Sequence, residues 1–421
     1  MSFSPELFFR SYKDRITVRP MKGTMKRGRT LDEDLRQRRS LQADLKNRSE
    51  NVMIVDLLRN DLGRLLHATG GGRVVPRSLF DVEVYDTLLQ MTSTIDGIPA
   101  GGQLPGLRDI IPALFPCGSV TGAPKIRTME IINELEKEPR GVYCGAIGFS
   151  GPEESVFNVP IRTVVLEGNQ GEMGIGSGIV FDSVPEAEWQ ESLLKASFLT
   201  RPQTDFQLIE TLIWQPGSGY WLFDEHLERL TDSAAYFLFA FDRERVAGHL
   251  RQEERSFFGP TRVRVLLNRD GTLGFFAAEL GKDFQPSIRP TVGSGPLPKA
   301  VFSSIPTDPG NPHLYHKTTR RALYVDERQK ALEKGYHEVL FANSNGEVTE
   351  GSITNIFIAG KDRLLTPPIS CGLLPGTFRR YLLDRGMAAE CILTREDVRR
   401  AGAVYVGNSV RGLIQVEVEG A

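Results

Sequence analysis

A lysine, a glutamate, an arginine and two glycine-bearing turns occur in the second half of this 421-residue sequence, in an order that suits one kind of chemistry. The stretch His316-Lys317-Thr-Thr-Arg320 carries the lysine and is predicted to open a helix near Thr318–Lys334. Gly346-Glu-Val-Thr-Glu-Gly-Ser-Ile-Thr-Asn-Ile-Phe357 places Glu350 at the edge of a strand-like run, and Asp224-Glu-His-Leu-Glu-Arg-Leu230 contributes Arg229. Gly372-Leu-Leu-Pro-Gly-Thr-Phe-Arg379 is a turn running into a helix, where free backbone N–H groups suit an anion. Gly407-Asn-Ser-Val-Arg-Gly412 is a further tight turn. Each residue alone has an ordinary reading, since most lysines are solvated and most glycines in turns are only breakers. Together they meet three needs of pyridoxal 5′-phosphate chemistry: a lysine for a Schiff base, an acid beside the pyridine nitrogen, and donors for the phosphate.

The first half holds four other pieces. They are Arg19-Pro-Met-Lys-Gly-Thr24, Ser49-Glu-Asn-Val-Met-Ile-Val-Asp-Leu-Leu-Arg-Asn-Asp61, Cys117-Gly-Ser-Val-Thr-Gly-Ala-Pro-Lys125, and Gly176-Ser-Gly-Ile-Val-Phe-Asp-Ser183 followed by Glu188 and Glu191. Lys22 could act as a nucleophile if burial lowers its pKa. Glu50 and Glu191 could share a magnesium ion, which takes few carboxylates and keeps several waters. Gly118–Pro124 is a turn entering a helix over 126–135, with proline near the first helical position. Arg162, in Phe157-Asn-Val-Pro-Ile-Arg-Thr163, could pair bidentately with a carboxylate.

The elements that must position these residues fall into two halves. The polar stretch Thr200-Arg-Pro-Gln-Thr-Asp205 marks the boundary, giving domains at 1–199 and 206–421. In the first half, Leu31, Leu35, Leu41 and Leu45 recur at helical spacing on a charged background, as on a surface helix. Three β-rich runs, 142–150, 155–167 and 171–181, are separated by glycines as in antiparallel sheet, and 185–199 is helical. The second half reads as α+β, with a helix near Asp224–Phe239.

Composition narrows the function classes. The residues are 40% hydrophobic and 25% charged with a net charge of −2, so neither a nucleic-acid nor a membrane partner is indicated. No apolar run reaches the roughly 18 residues of a membrane span, and the Met1 end shows no signal-peptide pattern. Cys117, Cys144, Cys371 and Cys391 form no CxxC pair and the six histidines no ligand cluster, which favours a reducing, cytoplasmic setting and leaves any metal to carboxylates.

The four pieces of the first half, in this order, closely resemble the chorismate-utilising enzymes, which include anthranilate synthase, isochorismate synthase and aminodeoxychorismate synthase component I. The resemblance runs from Ser4-Pro-Glu-Leu-Phe8 to about Leu199. Lysine in the Pro-Met-Lys-Gly-Thr element looks like the aminodeoxychorismate synthases. The resemblance implies that Lys22 attacks the chorismate ring, that Glu50 and Glu191 bind Mg2+, that Glu188 lies close by, and that Thr121, Tyr143, Arg162, Gly176 and Gly178 line the substrate. It also implies a domain shortened at its N-terminus, since Met1-Ser-Phe3 alone precede Ser4. Two further departures are Leu89, where the family often has histidine, and Asn47, where it is often acidic. No glutamine amidotransferase unit is recognisable, so ammonia would come free or from a separate glutaminase subunit.

Residues 206–418 resemble the fold-type IV pyridoxal-phosphate family of branched-chain aminotransferases, D-amino-acid aminotransferases and aminodeoxychorismate lyases. Glu-Gly-Ser-Ile-Thr-Asn-Ile-Phe is the most specific element. The resemblance implies that Lys317 carries the cofactor, that Glu350 pairs with its pyridine nitrogen, and that Arg229 and the backbone around Leu374, Gly376 and Thr377 hold its phosphate, with Asn408 and Ser409 nearby. It also implies a homodimer. The expected fold is α+β, a partial chorismate-binding α/β sandwich followed by a fold-type IV enzyme of two α+β subdomains. A synthase-like and a lyase-like half on one chain imply consecutive steps from chorismate through aminodeoxychorismate to 4-aminobenzoate. The alternative is a D-amino-acid or branched-chain aminotransferase carrying a non-catalytic interaction module.

Overall fold

A computed structural model of the chain describes residues 1–200, 205–282, 284–289 and 296–420. Of the boundary stretch Thr200–Asp205, residues 201–204 lie outside the described residues. The chain divides into two compact units, Met1–Arg27 with Leu35–Gln203, and Gly28–Asp34 with Thr204–Ala421.

The first unit is built on a seven-stranded sheet. Its order is Met21–Lys26, Leu88–Pro99, Arg15–Arg19, Leu7–Tyr12, Glu154–Asn158, Ile147–Ser150, with Gly72–Val84 also paired to Leu88–Pro99. The helix Leu45–Ala68 starts at Asp44, whose side chain accepts from the Asn47 N–H at 2.8 Å. Ile54, Val55, Leu58, Leu62 and Leu65 recur at helical spacing and pack on Phe8, Phe9, Ile16 and Val18 of the sheet. The predicted run 155–167 is two strands in two different sheets, Glu154–Asn158 and Val164–Glu167. Pro160 offers no N–H for a ladder and Arg162 takes a φ of 50°, so the chain turns between them. Only Ile147–Ser150 and Gln170–Met173 of the flanking runs are strands. Ile147–Ser150 is an edge strand whose Ile147 and Phe149 are exposed.

The second unit has two sheets. A four-stranded antiparallel sheet, ordered Gly219–Tyr220, Leu208–Gln215, Thr261–Leu267, Leu273–Glu279, is covered by the helices Phe223–Phe237 and Arg243–Glu253. In Thr261–Leu267 the alternation puts Val263, Val265 and Leu267 in the core and Arg262 and Arg264 on the other face. An eight-stranded sheet runs Val348–Gly351, Glu338–Ala342, Lys299–Phe302, Gly412–Glu419, Val404–Asn408, Asn355–Ala359, Leu364–Thr366, Ala388–Glu390. It closes on itself where Glu350 pairs with Asn355. These are the two α+β subdomains expected for this half.

One expected element is corrected. Lys317 does not open a helix, because the helix is Ala322–Glu333. The Lys317 carbonyl accepts from the Ile209 N–H at 2.8 Å and the Thr319 N–H donates to Gln207 O at 2.9 Å. Backbone groups committed to the strand Leu208–Gln215 cannot also serve a helix.

Candidate active site

A cavity of about 720 Å³ in the second unit gathers the expected residues: Lys317, Glu350, Arg229, Leu374, Gly376, Thr377, Asn408 and Ser409 all line it. That is the size class of small-molecule sites. Burial pushes the Lys317 ammonium down to about 7, with Arg321 and Arg229 adding to the shift and Glu210 and Glu350 opposing it. Burial pushes the Glu350 carboxyl up to about 7, against Arg321, the Leu374 N–H, Tyr324 and Lys317. Glu350 Oε2 accepts from the Leu374 N–H at 3.2 Å, so that N–H is turned to Glu350. Glu350 Oε1 and the Tyr324 hydroxyl are buried atoms that complete no well-formed hydrogen bond, and Arg321 Nη2 lies 3.9 Å from Glu350 Oε1.

Arg229 is held by a residue that sequence reasoning missed. Its Nε and Nη2 donate to Glu210 at 2.9 and 2.6 Å, and its Nη1 donates to Pro375 O at 3.3 Å. Glu210 also accepts from His226 Nδ1 at 2.6 Å, and His226 Nε2 meets the Thr377 hydroxyl at 3.2 Å. Burial would raise the Glu210 pKa, but Arg229 and His226 outweigh it and hold the carboxyl at about 2. Burial lowers the His226 pKa against Glu210's pull, so the ring is neutral and donates from Nδ1. Thr377 begins the helix Thr377–Asp384 and Gly376 caps it. A Cβ on Gly376 would come within 2.0 Å of Asn355 Oδ1, so only glycine allows this approach. Asn408 donates to Ile353 O and accepts from the Val410 and Arg411 N–H groups, which shapes its turn. A signal for this network was present. His226 and Arg229 are three apart on one helix face, and Glu210 is a lone carboxylate in an apolar strand.

In the first unit, Lys22, Tyr143, Gly176 and Gly178 come together. A Cβ on Gly178 would lie 2.7 Å from Lys22 Nζ, and one on Gly176 would lie 2.9 Å from the Tyr143 hydroxyl. Glu6 joins them: it is buried, accepts from the Ser119 hydroxyl, and is pushed up to about 7 by burial, with Ser119, Lys22, the Met21 N–H and Lys195 opposing. Lys195 donates to Gly176 O at 3.1 Å and pairs with Glu191 at 2.6 Å. Neither Glu6, Ser119 nor Lys195 was singled out from sequence, although Glu6 stands in the Ser-Pro-Glu element. Arg162 Nε is buried with no hydrogen-bond partner among the described residues, and burial lowers its pKa while Tyr85 and Glu6 oppose.

The remaining expected residues are less gathered. Thr121 donates to Cys117 O at 3.1 Å. Glu188 accepts from Ser183 at 2.7 Å; burial works against its charge, but Ser183, Ser177, Lys46 and Lys195 hold its pKa below the ordinary value. Among the described residues no group of three or more His, Cys, Asp or Glu is placed to hold a metal, so Glu50, Glu188 and Glu191 do not form one. Leu89 is fully buried with Leu41 and Met91, and Asn47 Nδ2 donates to the capping Asp44 while its side chain packs against Gly23. No described helix is long and apolar enough to cross a membrane.

Comparison with known proteins follows the same division. Residues 1–201 match the chorismate binding enzyme family, and residues 207–418 match amino-transferase class IV. A chloroplastic protein of Oryza sativa subsp. japonica described as an aminodeoxychorismate synthase is 47% identical over 200 residues, 47% of this chain and 22% of its own length. The anthranilate synthase component 1 of Aquifex aeolicus is 42% identical over 199 residues, 47% of this chain and 39% of that protein. The chain thus spans well under half the length of these relatives. A Mesorhizobium loti structure described as an amino-acid aminotransferase is 40% identical, covers 51% of this chain and 100% of its own, and superposes with a TM-score of 0.46. The class IV fold implies pyridoxal phosphate. With its second half matched over its whole length and a chorismate binding enzyme domain ahead of it, the chain belongs to the class IV amino-transferase family.

Proposed function

We propose that residues 206–421 release pyruvate from aminodeoxychorismate to give 4-aminobenzoate, and that residues 1–199 aminate chorismate to aminodeoxychorismate. The observation that carries this reading is the joining of a chorismate binding enzyme domain to a class IV domain on one chain. Three features of the cavity support a fit to pyridoxal phosphate: the buried Glu350 Oε1, which completes no well-formed hydrogen bond among the described residues, the bare Gly376 at a helix start, and Arg229 fixed beside them by Glu210. Arg229, the Thr377 hydroxyl and the backbone N–H groups of Gly376 and Thr377 would hold the phosphate, with Asn408 and Ser409 alongside, whereas the Leu374 N–H is given to Glu350. Glu350 would face the pyridine nitrogen and Lys317 would carry the group covalently.

When bound, that cofactor supplies a sink for an electron pair on the substrate. Lys317, set free when the substrate's amino group takes its place and left largely uncharged by its value of about 7, would take the proton from the ring carbon that bears that amino group. The bond from the ring to the enolpyruvyl oxygen breaks. Lys317 returns its proton to the methylene carbon of the departing group, which leaves as pyruvate, and the ring becomes aromatic. In the first half, Lys22 attacks the chorismate ring while Glu6, a carboxyl near 7 beside it, protonates the departing ring hydroxyl. Ammonia then displaces Lys22. Thr121, Tyr143, Arg162, Gly176, Gly178 and Glu188 would line the substrate. A Mg2+ held by Glu50 and Glu191 would require Glu191 to leave Lys195, and water and substrate oxygens would complete its shell. A separate glutamine amidotransferase subunit as ammonia source and a homodimer belong to the same proposal. So does a cytoplasmic setting, supported by four free cysteines.

The test is 4-aminobenzoate fluorescence from the purified chain with pyridoxal phosphate and magnesium. Aminodeoxychorismate alone is expected to yield product, and chorismate with ammonia to do the same if the first half aminates. No product from either, with glutamate formed from an amino acid and 2-oxoglutarate, replaces the lyase by an aminotransferase.

A further inference from the structure

Six arginines line the cavity, and three of them are already engaged. Arg229 is bound by Glu210, Arg321 lies beside Glu350, and Arg328 donates to Glu338 at 3.1 Å. Arg262, Arg264 and Arg411 form no ion pair among the described residues.

Arg411 is the most constrained of these three. Burial lowers its pKa, and the neighbouring Arg328 and Arg262 push the same way while Glu338 alone opposes. Glu338 has little capacity left for it. Its Oε1 accepts from the Val339 and Ser352 N–H groups, the Ser352 hydroxyl and Arg328, and its Oε2 accepts from Thr354 at 2.8 Å. Nor can the Arg411 backbone easily swing away. Its N–H donates to Asn408 Oδ1 at 2.9 Å, and the following Gly412, at φ +71°, sits so close to Ser287 that a Cβ would approach its backbone to 2.2 Å. A half-buried guanidinium fixed among other cations is unfavourable until an anion reaches it.

We propose that Arg411, with Arg262 beside it, is the receptor for a carboxylate of the substrate and makes this cavity selective for dicarboxylates over monocarboxylates. The inference rests on the lyase reading, whose substrate carries two carboxylates. A guanidinium offers a planar fork that matches a carboxylate, and a ligand lacking that group leaves the fork unpaired.

Isophthalate and benzoate, aromatic acids with two carboxylates and one, are suitable probes. Each is titrated calorimetrically into the cofactor-loaded protein, its Arg411→Gln variant and its Arg411→Lys variant, with cofactor absorbance recorded to check that the site is intact. Isophthalate is expected to bind the unaltered protein about tenfold or more tightly than benzoate. The preference is expected to collapse in Arg411→Gln, with benzoate unaffected, and to return in part in Arg411→Lys. Equal affinities in the unaltered protein overturn the proposal, even if the glutamine variant fails to fold. So does a preference that survives in Arg411→Gln. The two readings separate cleanly. 4-Aminobenzoate formed by Arg411→Gln with an unchanged KM sinks the receptor and leaves the lyase. The isophthalate preference without any 4-aminobenzoate leaves the receptor and sinks the lyase.

Discussion

The Lys317 ammonium and the Glu350 carboxyl reach the same value, about 7, from opposite directions and by the same cause, burial. Each therefore weakens the fold in its own pH window. Lys317 is charged in both folded and unfolded chains below pH 7, so its cost is fully present there and fades as pH rises to 10.5. Glu350 is neutral in both states below pH 4.5, so its cost grows from there and is complete above pH 7. Thermal unfolding of cofactor-free protein should show Lys317→Met stabilised by about 1–3 kcal/mol, with the gain largest below pH 7 and shrinking towards pH 10.5. A gain that grew with pH would contradict the burial of this ammonium. Glu350→Gln should keep the fold and bind cofactor but lose about 100-fold in 4-aminobenzoate turnover, a normal size for a misplaced acid–base group. Full activity would show that Glu350 does not govern the ring nitrogen.

The helix beginning at Thr377 meets the seam of the closed sheet through Gly376 and Asn355. Because a methyl group on Gly376 would overlap Asn355 Oδ1, Gly376→Ala must shift either the helix start or the Asn355 amide, which is held by its donation to Leu374 O at 3.0 Å. The expected result is an approximately tenfold or larger rise in the cofactor's dissociation constant, read by equilibrium dialysis, with little change in the far-ultraviolet circular dichroism. How legible such elements were differs from case to case. Glycine-proline turns and short polar motifs are local chemistry, so Lys317, Glu350, Gly376 and Thr377 could be read directly and all line the cavity. Glu210 shows in the sequence only as a lone carboxylate in an apolar strand, and its role depends on that strand meeting the helix that carries His226 and Arg229. The helix expected near Thr318–Lys334 forms as Ala322–Glu333, and its start comes late for the same reason: the backbone at Lys317–Thr319 is taken by residues 207–209 at the start of the strand Leu208–Gln215. The run 155–167 looked continuous because alternation is blind to a strand that changes sheets at a proline. In the first half, Glu6 served only as a landmark, and its burial against Ser119 and Lys22 emerges from the fold.

The assembled chain predicts a dissociation between two lysines. Lys22→Ala should abolish 4-aminobenzoate from chorismate and ammonia while leaving its formation from aminodeoxychorismate intact. Lys317→Ala should abolish both. Product from chorismate in the Lys22 variant would remove that lysine from the first step. The fusion of two halves was readable because each carries dense motifs, whereas the cavity's cationic wall was not, since Arg262, Arg328 and Arg411 are brought together only by folding. The Lys317 segment is stitched to the strand Leu208–Gln215 of one sheet, whereas Glu350 belongs to the closed sheet of the other subdomain. A molecule attached to Lys317 and touching Glu350 acts as a rivet through both plates. Separation of the subdomains and loss of the ligand then become one cooperative event, so loading should slow amide exchange at Ile209 and Thr319 together with the core, as binding to the folded state alone requires.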